Sequence, residues 1–115
     1  MVEYFPSSLD QTLVALADPT RRAILQRLSQ GEARVTEVAA PFAMSLAAVS
    51  KHIRVLEKAR LVARRRAGRE HLLTLDPAPL DEAARWMASE RALWTQRLDA
   101  LDALLKTQDQ KGAAS

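Results

Sequence analysis

The residues of this chain best suited to a chemical role are basic side chains, and the first of them lie in the segment 44–57. The segment is typical of a turn followed by an amphipathic helix. One face of this helix is apolar: Leu46, Val49, Ile53 and Leu56. The opposite face is small and cationic: Ala47, Lys51, Arg54 and Lys58. Ser45 stands where a helix N-cap belongs. Such a cationic stripe fits a DNA major groove, where cations meet phosphates or guanines and a small residue permits close approach.

The charge of the chain is concentrated around this helix. The net charge is +3, but residues 51–71 alone carry +6, with eight basic residues against Glu57 and Glu70, so the remainder is −3. A polyanionic partner would therefore meet this segment rather than the whole surface. A merely solvated basic face is the alternative interpretation.

The elements that must position these residues can be placed from pattern. Helices are predicted at 8–17, from Pro19 to near Gly31, at 36–42 and at 45–59, and Asp18-Pro19 is a strong helix start. Residues 61–75 form two strand-length segments about Gly68, which indicates a β-hairpin. After the break at 76–79, a long helix is expected from about 80 to 106, and 108–115 is expected to be a flexible polar tail.

A series of helices followed by a basic hairpin is the order of elements in a winged helix-turn-helix. The predicted fold is mainly α with a small β-hairpin wing, in a single domain over 1–107, with the helix-turn-helix at 36–59 and the wing at 61–75. The wing tip, 66–69, would lie beside the DNA backbone or in the minor groove, where arginine is favoured. Protection of an edge strand is a second, compatible role for Arg64, Arg65 and Arg66.

The chain resembles the arsenic-repressor (ArsR-type) winged-helix transcriptional regulators. The resemblance is carried by Asp18-Pro-Thr-Arg-Arg-Ala-Ile-Leu25, Val35-Thr-Glu-Val-Ala39, Ser45-x-x-x-Val-Ser-Lys-His-Ile-x-x-Leu56, Leu61-Val62 and Gly68-Arg69, and it covers roughly residues 9–105. It implies a homodimer that binds operator DNA, usually as a repressor. It places Ser45, Ala47, Ser50, Lys51 and Arg54 at DNA-facing positions, and His52 aligns with a common histidine of the recognition helix. With the wing, the expected DNA-binding residues are Ser45, Ala47, Ser50, Lys51, His52, Arg54, Arg64, Arg65, Arg66 and Arg69.

The chain departs from the metal-sensing members of that family. Many relatives bind metals through cysteines in the third helix, and this chain has no cysteine. Others use aspartate and histidine on the last helix, whereas here the two histidines, His52 and His71, fall in the recognition helix and the wing. Transition metals prefer imidazole or thiolate ligands, so no metal site and no cofactor are expected. Arg60 stands where the family often has a helix-ending glycine, which predicts a strained left-handed residue.

The last helix carries the prediction of a dimer. Its apolar stripe comprises Leu80, Ala84, Met87, Trp94, Leu98, Leu101 and Leu105. So much apolar surface exceeds what a small winged domain can cover, so two-fold pairing with the first helix of a second copy is expected. The expected interface residues are Leu9, Leu13, Leu16, Met87, Trp94, Leu98, Leu101 and Leu105. The alternative is that the helix folds back on its own domain.

Composition excludes several other classes of protein. No apolar run approaches the roughly 18 residues that span a bilayer, no signal peptide is visible, and the lack of cysteine fits a cytoplasmic protein. No nucleophile–base set or glycine-rich phosphate loop is present, so no enzymatic activity is expected. Two alternatives stay open: a protein-interaction module that has lost DNA binding, and a regulator with weak DNA binding that responds to a small molecule near Trp86 and Trp94. The effector, operator and regulated genes cannot be read from the chain.

Overall fold

The fold is an ordered series of short helices, a small sheet and one long helix. A computed structural model describes residues 7–113. In chain order the elements are α1 (Ser8–Leu16), α2 (Pro19–Leu28), β1 (Ala33–Arg34), α3 (Val35–Ala39), α4 (Leu46–Lys58), β2 (Val62–Ala67), β3 (Glu70–Leu75) and α5 (Ala78–Ala113). This is a mainly helical winged helix-turn-helix with a long C-terminal helix, which confirms the predicted fold class.

The helices begin where local chemistry satisfies their free backbone N–H groups. The Ser7 hydroxyl accepts from the Asp10 N–H at 3.1 Å, and the Asp10 carboxylate accepts from the Ser7 N–H at 3.2 Å, a capping box. Asp18 caps α2, with Pro19 at its first position. Ser45 caps α4 by accepting from the Ala48 N–H at 3.1 Å. The predicted starts of α2 and α4 are therefore confirmed.

The core lies between α2, α4 and the sheet. Its largest fully buried apolar side chains are Ile24, Val38, Val49, Ile53, Leu56, Leu61 and Leu73. Of the predicted apolar face of α4, Val49, Ile53 and Leu56 are buried in the core, whereas Leu46 is 54% exposed. Leu46 is the first residue of the helix and lies before the part of α4 that reaches the core.

The wing contains one strand that the sequence did not reveal. The sheet is antiparallel in the order β1-β3-β2, with Ala33 opposite Leu73 and Arg64 also opposite Leu73. The hairpin is the predicted one, and Gly68 turns it with a φ of +64°. β1 has only two residues, too few for any alternation of polar and apolar side chains to be recognised.

α4 ends in a left-handed residue, as the sequence predicted. Arg60 has a φ of +62°. Its N–H donates to the Glu57 carbonyl at 2.9 Å, while the Leu61 N–H donates to the Leu56 carbonyl at 3.0 Å. This is the Schellman motif, which most often has glycine at the left-handed position. Leu61 is then carried directly into the core, so the helix end sets the start of the wing.

The chain divides into two compact units, a winged unit up to Ala83 and a helical unit from Ala84 onward. The junction lies inside α5, which begins at Ala78 where the Asp76 carboxylate accepts from the backbone N–H at 3.0 Å. α5 continues past Lys106 to Ala113, into residues expected to form the flexible tail. Within 7–113 no helix combines the length and apolarity needed to cross a bilayer.

Replacing Arg60 by glycine should stabilise the winged unit. Glycine removes the cost of a left-handed L-residue but makes the unfolded chain more flexible, so the net gain should be about 0.5–1 kcal/mol. Urea unfolding followed by circular dichroism measures it, with Arg60→Ala as the control that retains the strain. A glycine variant less stable than Arg60→Ala would contradict the strain at this position.

Candidate nucleic-acid interface

The cationic face of α4 points away from the core. Val49 and Ile53 are completely buried, and these contacts fix the rotation of the helix about its axis. Ala47, Lys51 and Arg54 are consequently exposed on the other side. Arg54 is held along the helix by a hydrogen bond from its Nε to the Ser50 carbonyl at 3.4 Å. The arrangement presents two adjacent cations on a surface that the core keeps outward.

Of the other predicted DNA-facing residues of α4, Ser45 and His52 have side-chain partners within the protein and Ser50 is partly covered. The Ser45 hydroxyl accepts a hydrogen bond from the Ala48 N–H as the N-cap, and Ser50 is only half-buried. His52 is half-buried between α4 and the start of α2, with its Nδ1 3.7 Å from Asp18 Oδ2 and 3.4 Å from Arg21 Nη1. His52 therefore helps to hold α4 against α2, a role that sequence reasoning missed.

The Asp18 carboxylate is the centre of this contact. The Arg21 N–H donates to Asp18 at 3.0 Å and is the main cause of a lowered pKa of the Asp18 carboxyl, which burial opposes and the charges of His52 and Arg21 reinforce. The Arg21 guanidinium also donates to the carbonyls of Ala15 and Val14, at 2.8 and 2.9 Å. α1, α2 and α4 are thus joined at one point behind the cationic face.

The predicted wing arginines divide between the two faces of the hairpin. Arg64 lies opposite buried Leu73, on the core side, and its guanidinium donates to Glu57 of α4 at 2.8 Å. Arg65 lies on the other face and donates twice to Glu32, at 3.0 and 2.6 Å. At the tip, the Arg66 Nε donates to the Gly68 carbonyl at 3.0 Å. Arg64 and Arg65 are therefore already paired with carboxylates, whereas Arg66 has a neutral carbonyl as its partner among the residues that the structure describes.

Arg69 and Lys51 have the least compensated charge of the expected set. Both are exposed, and within residues 7–113 neither forms an ion pair. Together with Arg54 and Arg66, they are the cations most available to an anionic partner.

A second ion-pair cluster joins α3 to the hairpin. The Arg34 guanidinium donates to Glu37 at 2.7 Å and to Glu70 at 3.0 Å. The hydrogen bonds to these two carboxylates raise the pKa of Arg34, and the bond from the Arg34 side chain is the main cause of a lowered pKa at Glu37. Glu37 lies three residues after Arg34, a spacing visible in the sequence, but no local spacing marks Glu70, which is 36 residues from Arg34. The cluster braces the wing against the helix-turn-helix.

A groove lies between the starts of α3 and α4 and the hairpin. It has a volume of about 370 Å³ and is lined by Arg34, Val35, Thr36, Leu46, Ser50, Arg64, Arg69, Glu70 and His71. The groove brings part of α4 and part of the wing to one concave surface. Its exposed apolar side chain is that of Leu46, the first residue of the predicted apolar face of α4.

The predicted dimer residues differ in exposure between the two units. In the winged unit Leu9, Leu13 and Leu16 are half-buried, and Leu16 packs against the core. In the helical unit the five predicted residues are 47–61% exposed: Met87, Trp94, Leu98, Leu101 and Leu105. Val14, which was not among the predicted residues, is also exposed, at 62%, and lines an apolar groove of about 290 Å³ with Val55 and Ala59. Val14 falls outside the spacing of the three leucines, so no stripe revealed it.

Metal ligands do not gather in the part of the chain that the structure describes. Over residues 7–113 no cluster of three or more histidine, aspartate or glutamate side chains is arranged to hold a metal ion. The whole sequence also lacks cysteine.

Comparison with known proteins identifies the class to which this fold and basic surface belong. A family model described as a helix-turn-helix domain matches residues 16–65. The HTH-type transcriptional regulator Rv2034 of Mycobacterium tuberculosis is 42% identical over 101 residues, covering 88% of this chain and 92% of the relative. The transcriptional repressor SdpR of Bacillus subtilis is 29% identical over 79 residues, covering 69% of this chain and 88% of the relative.

Solved structures point to the same class. The crystal structure of an ArsR family transcriptional regulator is 39% identical, with a TM-score of 0.74 over 77% of this chain and 98% of that one. A homodimeric winged helix-turn-helix DNA-binding domain from Mycobacterium bovis is 27% identical, with a TM-score of 0.57 over 79% of this chain and 82% of that one. The fold and its relatives define a DNA-binding transcriptional regulator, not an enzyme. The chain belongs to the ArsR family, which confirms the resemblance seen in its sequence.

The ion pair between Glu32 and Arg65 should make the stability of the wing depend on pH. The hydrogen bond from the Arg65 side chain is the main cause of a lowered Glu32 pKa, from an ordinary 4.5, with burial opposing it. The stabilisation is therefore complete above the ordinary pKa and is lost as the pH falls through the lowered one. Glu32→Gln should lower the thermal unfolding midpoint at pH 7, and the gap to the wild type should narrow as the pH falls below the ordinary pKa of 4.5 and through the lowered one.

The control for this prediction is the same substitution in an Arg65→Ala background, where no pH-dependent gap should be seen. A gap of constant size between pH 7 and pH 3 would show that the ion pair does not contribute.

Proposed function

We propose that the protein is a homodimer that binds palindromic operator DNA through α4 and the wing and represses transcription. The observation that carries the proposal is the buried Val49, Ile53 and Leu56 face of α4, which holds Lys51 and Arg54 outward on a helix. A single α-helix fits the major groove, and the N-terminal part of a recognition helix contacts base edges. α4 would thus enter the groove with its first turns toward the bases.

The side chains of α4 would have different roles on DNA. Arg54 can donate two parallel hydrogen bonds to guanine O6 and N7, which gives sequence specificity, whereas Lys51 is suited to a phosphate. Exposed Ala47 lets the helix approach closely. Ser45 and His52 would act mainly by holding the helix, because both have intramolecular partners.

The wing would add affinity more than specificity. Arg66 and Arg69 lie at the hairpin tip without a carboxylate partner among the described residues, so they are free to meet phosphates or a narrow minor groove. Arg64 and Arg65 are held by Glu57 and Glu32, so either would have to exchange a carboxylate for a phosphate. Their contribution to binding should therefore be smaller.

A second copy of the chain is the partner proposed for the exposed face of the helical unit. Exposed apolar side chains recur along it from Met87 to Leu105, and one large patch of this kind is typical of an interaction surface. A two-fold dimer would bury this surface and place two recognition helices about 34 Å apart, one turn of DNA. The homodimeric relative from Mycobacterium bovis supports this assembly.

The regulator would act on DNA in the cytoplasm. Repression is supported by the relative from Bacillus subtilis, a transcriptional repressor. DNase footprinting upstream of the gene that encodes the protein tests the proposal directly. Protection of a palindrome is expected, and no protection of any duplex at low salt would favour a protein-interaction module.

Replacing Lys51 and Arg54 together by alanine should weaken operator binding without unfolding the protein. Removing a bidentate arginine–guanine pair costs about 1–3 kcal/mol, and removing a phosphate-binding cation weakens binding to all sequences alike. Gel-shift titration measures the effect, with circular dichroism to check folding. Arg85→Ala with Lys106→Ala removes the same charge from α5 and is the matched control. Wild-type affinity in the α4 variant would exclude α4 as the recognition helix.

Replacing Arg65, Arg66 and Arg69 together by alanine should flatten the dependence of DNA affinity on salt. The slope of log affinity against log salt should fall by about 0.9 for each phosphate that the protein no longer neutralises. Arg66→Ala with Arg69→Ala should reproduce most of this change, and Arg65→Ala alone little of it, because Arg65 is paired with Glu32. Fluorescence anisotropy at several salt concentrations measures the slopes, and identical slopes would mean that the hairpin does not touch DNA.

Trp94→Ala with Leu98→Ala should dissociate the dimer and reduce operator binding with it. Both side chains are more than half exposed in a single chain. Truncating an apolar side chain at a buried site typically costs about 2–5 kcal/mol. In a symmetric dimer each substitution is made twice, so this cost is incurred in both copies. Analytical ultracentrifugation should give the wild type about twice its 12.7 kDa chain mass. A wild-type monomer that binds a palindrome tightly at micromolar concentration would contradict the dimer.

A further inference from the structure

Leu46 is an apolar side chain in the middle of a polar binding surface. It is 54% exposed, although every other apolar residue of its predicted stripe is completely buried. A single exposed leucine is ordinary on a protein surface, so exposure alone carries no argument. Its position does, because Leu46 is the first residue of α4, between the capping Ser45 and exposed Ala47.

The surroundings of Leu46 favour DNA as the partner that covers it. The groove that it lines between α4 and the wing contains one carboxylate, that of Glu70, and three arginines, Arg34, Arg64 and Arg69. Arg69 forms no ion pair among the described residues. Charge complementarity therefore favours a polyanion at this surface over an apolar protein partner. The first turn of a recognition helix is also the part that lies against base edges.

The chemistry of the side chain selects among the base edges. Leucine has no hydrogen-bonding group, so wherever it covers a base donor or acceptor it leaves that atom desolvated and unpaired. The major groove offers one apolar group, the C5-methyl of thymine. Adjacent Ala47 is small enough to let the methyl approach closely.

We infer that Leu46 is a specificity-determining residue that contacts a thymine methyl group in each half of the operator. The inference rests on the proposed function and deepens it, since it names a base that the recognition surface selects. It also assigns a role to an apolar side chain that the fold does not need for its core.

The test uses the full-length protein and operator duplexes in which thymines are replaced one at a time by deoxyuridine. The exchange removes only the C5-methyl and leaves all base-pair hydrogen bonds in place. The wild type should lose affinity about fourfold per half-site at one thymine, which is the equivalent of one methyl group no longer buried. Leu46→Ala should bind the thymine and deoxyuridine duplexes equally.

Val55→Ala is the matched control, because Val55 is a partly exposed apolar residue at the other end of α4. It should keep the wild-type ratio between thymine and deoxyuridine duplexes, and circular dichroism should show both variants folded. Specific binding in which no thymine is sensitive, or in which Leu46→Ala keeps the wild-type sensitivity, would overturn the inference alone. The absence of specific binding to any duplex would overturn the proposed function and the inference with it.

Discussion

The burial of three side chains of α4 is the constraint on which the interface depends. Val49, Ile53 and Leu56 are each completely buried, so the helix cannot rotate without exposing one of them or opening a cavity. The direction of Lys51 and Arg54 follows from that packing and not from any contact of their own. The Ser45 cap, the His52 contact and the Schellman end at Arg60 then limit movement at the start, the side and the end of the helix. The basic face is in this way set before any ligand arrives, which reduces the conformational entropy lost on binding.

The charges of the wing are arranged less simply than their number suggests. Exposed ion pairs contribute little to stability, so the pairs Arg64–Glu57 and Arg65–Glu32 do not account for the fold. They do determine which cations are paired with a carboxylate and which, among the described residues, are not. The uncompensated positive charge therefore comes from a few residues rather than from every arginine of residues 64–69. These residues are Lys51, Arg54 and the arginines at the tip of the hairpin. A count of basic residues overestimates the surface available to DNA.

The features that sequence reasoning predicted are those with local signals. Asp18-Pro19 predicts a helix start because the Asp18 side chain accepts a capping hydrogen bond and Pro19 has a fixed φ. Gly68 predicts the hairpin because few residues tolerate the positive φ of its turn. The periodicity of α4 separates its two faces for the same local reason. What sequence reasoning missed depends on contacts between distant residues. β1 exists because it pairs with β3, Glu32 meets Arg65 across the sheet, and His52 turns toward Asp18. The exposure of Leu46 could not be predicted either, because periodicity locates an apolar face but does not say where along the helix the core ends.

The contact between Asp18 and His52 has an evolutionary consequence. One carboxylate both caps α2 and faces the imidazole of α4, so positions 18 and 52 share a single group although 34 residues separate them in the chain. A change at position 18 that kept a good cap, such as serine, would still leave His52 without its anionic neighbour. Conversely, if position 52 no longer carried histidine, the residue at position 18 would need only to cap α2 and not to face an imidazole. Among descendants of this chain, the two positions are therefore expected to vary as a pair, so that the cap of α2 and the side contact of α4 are inherited together.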